Sequence, residues 1–187
     1  IFDLVTNAVF GRHPLGRPVL GSAEVISNVS KRSLGAFHSR RYRPDNVVVA
    51  TAGSVDHDRL VSLVDSQQAK AGARSAGRPS ARAPFVAAPK PSLAFLSKET
   101  EQYHVCLSAP GIARFDRRRF TASVLDSVLG GSASSRLFQE IREQRGLAYA
   151  VYTFSSQYAD TGQMGVYVGT REENLAECLR IVAEQIR

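Results

Sequence analysis

The feature that most constrains this chain is a break near its middle. Residues 69–92 (AKAGARSAGRPSARAPFVAAPKPS) hold four prolines and two glycines among many Ala and Ser, with one large apolar pair, Phe85-Val86. Such a stretch carries neither the 3.6-residue period of a helix nor the alternation of a half-buried strand. It predicts a semi-extended linker crossing a surface. The 187 residues give room for one ordinary domain or two small ones, and the break divides them into parts spanning 1–68 and 93–187.

Both parts have the means to fold. Apolar residues make up 43% of the chain and charged residues 22%, which excludes wholesale disorder. No apolar run approaches the ~18 residues of a membrane-spanning helix, and no charged-then-apolar secretory leader is present. The chain opens at Ile1 in what reads as mid-helix, as an excised segment would. Two cysteines, Cys106 and Cys178, make no disulfide framework and lack zinc-ligand spacing. They read as buried thiols of a reducing, cytoplasmic compartment. The net charge of +7 raises a nucleic-acid reading. Its distribution answers it: the clusters Arg40, Arg41, Arg43 and Arg114, Arg117, Arg118, Arg119 have no interleaved aromatics and no zinc-finger or RNP-like pattern. The basic residues are read as a solvated surface, with no nucleic-acid and no membrane partner.

Before the break, residues 1–10 read as the tail of a helix and His13–Gly21 as a turn-rich loop. Helices are predicted from Ser22 to Asn28 and from Ser33 to Tyr42, the latter ended by Pro44. Asn46–Ala52 is an apolar β run. Asp56 caps a following helix whose buried face is Leu60, Val61, Leu63 and Val64. After the break, Leu93–Ser97 and Tyr103–Ala109 read as strands. Arg118–Leu129 is a helix capped by Gly130-Gly131, and Ser134–Gln144 is a second helix. Ala148–Ser156 and Gln163–Gly169 form a hairpin, and Glu172–Ile186 an amphipathic helix. Asn46–Val64 and Gly165–Val182 share a strand, glycine, acidic cap and helix plan, which duplication and chance explain equally well. The order suggests an α+β fold of antiparallel sheets with helices packed on one face.

Four histidines, His13, His38, His57 and His104, lie far apart, and neither HExxH nor HxxEH occurs. There is no GxSxG elbow, Walker loop or GxGxxG fingerprint. Catalytic and metal-ligating residues are therefore expected to be absent from this segment. The densest block is LGGSASSRLFQEIREQRGLAYAVYTF, from Leu129 to Phe154. Ser134 or Ser135 is placed to cap its helix, and Arg136 to support Glu140 across one turn. Arg142 falls in the last helical turn, where the dipole favours a cation. Tyr149 begins the strand beyond Gly146. The two side chains can converge at one helix end, as a cation and a phenolic donor suited to a carbonyl oxygen that gains charge. Helix capping and sheet packing account for the same spacing.

The run SSRLFQEIREQRGLAYAVYTF, followed by YADTGQMGVYVGT, resembles the C-terminal half-enzyme signature of peptidase family M16. That family includes mitochondrial processing peptidases, pitrilysin and insulin-degrading enzyme. HPLGRPVLGSAEVIS and YRPDNVVVATAGSVDHDRLVSLV are similar to the later part of the family's zinc-bearing first domain. The likeness covers nearly all of the chain outside the linker, in collinear order, and is nearest to the bacterial processing-peptidase-like branch.

The resemblance implies two half-domains: residues 1–68 from the end of the first domain, and 93–187 from the start of the second, non-metal domain. It implies a parent zinc metalloendopeptidase of clam-shell form that cuts peptides held as an added β-strand, its HxxEH motif and third ligand lying upstream of Ile1. Zinc is then expected in the parent and not in this segment, which by itself is expected to be inactive. Arg142 and Tyr149 match the family's substrate-holding pair by position and by their seven-residue separation. Gly130 and Gly131 match a glycine turn that touches substrate in related subunits. The implied partners are a peptide or unfolded protein, the remainder of an M16 chain or a second subunit, and a second copy of the segment. A non-catalytic partner or core subunit of the same fold is the alternative.

Overall fold

The computed structural model describes residues 1–71 and 91–187; the interior of the expected linker, 72–90, lies outside the described residues. The chain forms two compact units, one made of residues 1–20 with the C-terminal part, the other beginning at Gly21.

The first unit is built on three antiparallel strands, β1 (Tyr103–Gly111), β2 (Ala148–Gln157) and β3 (Gly162–Thr170), in the order β1-β3-β2. β2 and β3 form the expected hairpin, closed where the Tyr158 amide donates to the Thr161 carbonyl at 2.8 Å. As the central strand, β3 is the most deeply buried. Alternation sends Val166 and Val168 to one face, where they join Val151 of β2. Leu129, at the end of a helix over Arg119–Leu129, packs there with Leu137 and Ile141 from the turn that follows. The closing helix, Leu175–Ile186, contributes Cys178, Ile181 and Val182, which share one helical stripe.

The opposite face is aromatic. Tyr167 stacks on Tyr152 at 4.8 Å and on Phe2 at 5.9 Å, and Phe2 meets Phe154 edge-on at 5.4 Å. Phe2 belongs to α1 (Phe2–Phe10), whose Thr6 hydroxyl also donates to Gln163 Oε1 at 3.3 Å. Helix α1 thus lies with the sheet of the C-terminal part, although its sequence falls within residues 1–68. The Tyr167 hydroxyl reaches His104 Nδ1 at 2.7 Å by leaning across Gly169, where a Cβ would stand 2.8 Å from that oxygen.

The second unit contains α2 (Ala23–Asn28), α3 (Lys31–Arg41) and α4 (His57–Ala71). Each start is capped by a side-chain oxygen: Ser22 accepts from the Val25 amide, Ser30 from Ser33, and Asp56 from Arg59 at 2.8 Å. None of residues 21–69 is buried. The helices over Arg119–Leu129 and Leu175–Ile186 are α5 and α6 in chain order. No helix among the described residues is long and apolar enough to cross a membrane.

The chain is therefore an α+β protein with an antiparallel sheet, but four local expectations need correction. Asn46–Ala52 is not a strand: Val48 is 92% exposed and the run joins no ladder among the described residues. Leu93–Ser97 is likewise irregular, with Leu93 95% exposed. Apolar β-branched composition supplies a propensity, but a strand exists only where a neighbour takes its hydrogen bonds. In α4, Val61 and Leu63 are exposed where a buried face was expected. The segment expected as a helix over Ser134–Gln144 is α-helical only at its start and becomes a π turn over Phe138–Glu143.

Two outcomes follow from this packing. Ile181→Ala removes a fully enclosed side chain between α6 and β3 and should lower unfolding stability by about 2–5 kcal/mol in denaturant titration. Burial pushes the Cys106 thiol from 9.0 up to about 11. Because the folded value is the raised one, its stabilisation is complete below pH 9 and is lost as pH climbs from 9 to 11. Urea midpoints over that range should fall less steeply for Cys106→Ala than for the parent chain.

Candidate functional site

The Leu129–Phe154 block folds into a shallow hollow of about 330 Å³ at the outer edge of β2. Its lining includes Gly130, Gly131, Phe138, Arg142 and Tyr149, so all four substrate-site residues expected from the sequence come together there.

The floor is made by the end of α5. The Asp126 carbonyl accepts from the Gly130 amide at 3.0 Å, the Gly131 amide at 2.8 Å and the Thr153 hydroxyl at 3.1 Å. One oxygen therefore caps α5 and ties it to β2. At Gly130 any Cβ would lie 2.6 Å from the Thr153 backbone nitrogen. Glycine is required at this point by close backbone approach, and the expected capping role of Gly130-Gly131 is observed alongside their place in the hollow.

The wall is the π turn. Leu137 and Ile141 are fully buried beneath it, fixing it to the core. Neither serine caps it: Ser134 Oγ pairs with Ser132 Oγ, and Ser135 is drawn into the interior with its hydroxyl unpartnered. The expected Arg136–Glu140 pair is replaced by one between Arg145 and Glu140. Gly146, at φ +61°, ends the turn and donates to the Arg142 carbonyl at 3.0 Å.

Strand β2 then begins with an irregularity that the sequence did not disclose. Ala148 pairs with Thr170 and Ala150 with Gly169, leaving Tyr149 as an extra residue without a partner across the ladder. A bulge of this kind re-aims a side chain out of the pleat. Tyr149 is 77% exposed, and its ring centroid lies 4.5 Å from the Arg142 guanidinium carbon. Phe138, one turn before Arg142, presents a second ring at 4.6 Å. The guanidinium is ion-paired with Glu143 at 3.6 Å and makes no hydrogen bond among the described residues. The site thus offers fixed cationic N–H donors and a phenol beside an outer strand edge, an arrangement suited to a peptide carbonyl.

Zinc does not fit the residues present. Among the described residues no three His, Cys, Asp or Glu side chains converge to hold a metal ion. Three of the four histidines have local partners: His13 Nδ1 accepts from the Leu15 amide, His38 stacks on Tyr42, and His104 meets Tyr167. Three of the four arginines of the second basic cluster are engaged likewise, Arg118 with Asp116, Arg119 with the Arg114 carbonyl, and Arg114 with the Gln157 carbonyl.

Residues 28–187 match a family model described as the peptidase M16 inactive domain. The chain is 41% identical to an uncharacterised zinc protease of Streptomyces coelicolor, covering 100% of this chain and 41% of the relative. With an uncharacterised zinc protease of Bacillus subtilis it shares 35% identity over 100% of the chain and 44% of the relative. The crystal structure of a peptidase M16 inactive domain from Pseudomonas fluorescens superposes with a TM-score of 0.80 at 26% identity, covering 98% of this chain and 45% of that one. The chain thus spans less than half the length of these relatives.

Gly130→Ala tests the floor of the hollow. The added methyl has to push Thr153 and the start of β2 away from α5, costing about 1–3 kcal/mol. Amide exchange should rise at Gly130, Gly131 and Thr153 before it rises at β3.

Proposed function

The chain belongs to the peptidase M16 family, and on that footing we propose that it is the peptide-holding, non-metal part of a zinc metalloendopeptidase. The observation that carries this reading is the convergence of Arg142 and Tyr149 over the hollow beside the β2 edge. A substrate strand lying along that edge brings a backbone carbonyl to the guanidinium N–H groups and the phenol. Hydrogen bonds to a charged donor are stronger than neutral ones, and they gain most where the carbonyl oxygen becomes negative during attack. Arg142 and Tyr149 orient and polarise that carbonyl, and Gly130 and Gly131 lie beside them in the lining of the hollow. No step of the hydrolysis is assigned to a metal through the described residues, among which no three His, Cys, Asp or Glu side chains converge.

In this reading residues 1–68 close a first domain and 93–187 open a second. The zinc ligands lie elsewhere in the parent, which is cytoplasmic, and the segment alone is inactive. The remaining chain or a second subunit completes the fold, and a second copy can stand in for it in the isolated segment. The description of the matched family model as an inactive domain favours one further reading, a non-catalytic partner or core subunit that holds peptide for an active one.

Binding of a fluorescein-labelled extended peptide to the full chain tests the proposal. Arg142→Ala should weaken binding about 10- to 100-fold. In the active parent, Tyr149→Phe keeps the ring and loses the hydroxyl, so it should reduce peptide turnover more than affinity. Unchanged binding in Arg142→Ala overturns the reading; unchanged turnover in Tyr149→Phe removes the phenol from it.

A further inference from the structure

The Arg142 guanidinium meets two rings, and nothing in the family likeness assigned the second. We propose that Phe138 is a positioning residue that holds Arg142 ready for a peptide carbonyl, an inference that rests on the peptide-holding reading above.

The two rings are supported differently. Tyr149 sits on a bulge and is 77% exposed. Phe138 opens the π turn, flanked by Leu137 and followed by Ile141, both fully buried. Its ring is half-buried on the turn that also carries Arg142, with the centroid 4.6 Å from the guanidinium carbon. Phe138 is thus the anchored surface, and Tyr149 closes over from the strand.

Stacking suits this task better than a hydrogen bond. An arginine side chain carries much rotamer entropy, which a free side chain surrenders on binding. A ring face restrains the guanidinium through its quadrupole and dispersion while leaving the in-plane N–H donors unoccupied. Of these donors Nε faces the Glu143 carboxylate at 3.6 Å, and none makes a hydrogen bond among the described residues. The contact therefore orders the cation without competing for the groups that must reach substrate. An aliphatic residue of similar size would fill the space but supply no quadrupole.

The test measures peptide affinity and the Arg142 Nε–H NMR signal in the full chain. Phe138→Leu should weaken binding about 3- to 10-fold and move the Arg142 signal out of the ring-shifted region, with Phe138→Tyr restoring both. Pentafluorophenylalanine at position 138 keeps the shape and reverses the quadrupole. It should weaken binding as Phe138→Leu does, and it decides the matter if Phe138→Leu does not fold. Unchanged affinity in the pentafluorophenyl variant, or in folded Phe138→Leu, overturns the role of Phe138 while Arg142→Ala still shows a loss. No loss in Arg142→Ala overturns the peptide-holding reading and this inference together.

Discussion

The backbone carbonyl of Asp126 is the point on which the site depends. It takes the Gly130 and Gly131 amides and the Thr153 hydroxyl at 2.8–3.1 Å, and so joins the end of α5 to the edge of the sheet. That junction works only if the backbones approach closely, which is why a side chain at Gly130 would collide with Thr153. Where α5 ends decides where the hollow opens, and with it the height at which β2 presents Tyr149. An unpaired carbonyl at a helix end is a cost that the fold has turned into a fastening.

From that fastening the chain passes directly into the core and back out. Leu137 and Ile141 are enclosed by Val151, Val166, Val168 and the α6 stripe, so the π turn between them has little freedom. Phe138 and Arg142 share this turn and face the hollow, while the buried positions hold the backbone still. The wider turn and the bulge at Tyr149 are local departures from regular structure on neighbouring elements. Together they bring the cation and the phenol onto one surface. Irregularities of this kind recur where side chains must be aimed.

Much of this was legible. Asp56 as a cap, the glycine stop of α5, the hairpin and the amphipathic closing helix follow from local spacing, whereas the pairing of Arg142 with Tyr149 is what the family resemblance implies. What escaped was whatever depends on a partner distant in sequence. The Asn46–Ala52 run has the composition of a strand, yet it has no neighbour among the described residues and stays exposed. Ser135 looked like a cap and is instead buried without a partner, because the turn it precedes is drawn into the core. Phe138 passed for an ordinary apolar residue of an amphipathic helix. It stands four residues before Arg142, a spacing at which helical side chains meet, so the contact at 4.6 Å was within reach of the sequence but went unread.

By itself the amino-acid sequence determined the α+β class and the order of most elements. Each of these rests on interactions between residues a few positions apart. Only the tertiary structure decided that α1 covers the aromatic face of the sheet, that Tyr149 leaves the ladder, and that two rings hold one guanidinium. Those outcomes depend on which surfaces meet across the sheet. A one-residue change of register would turn every side chain of β2 to the other face.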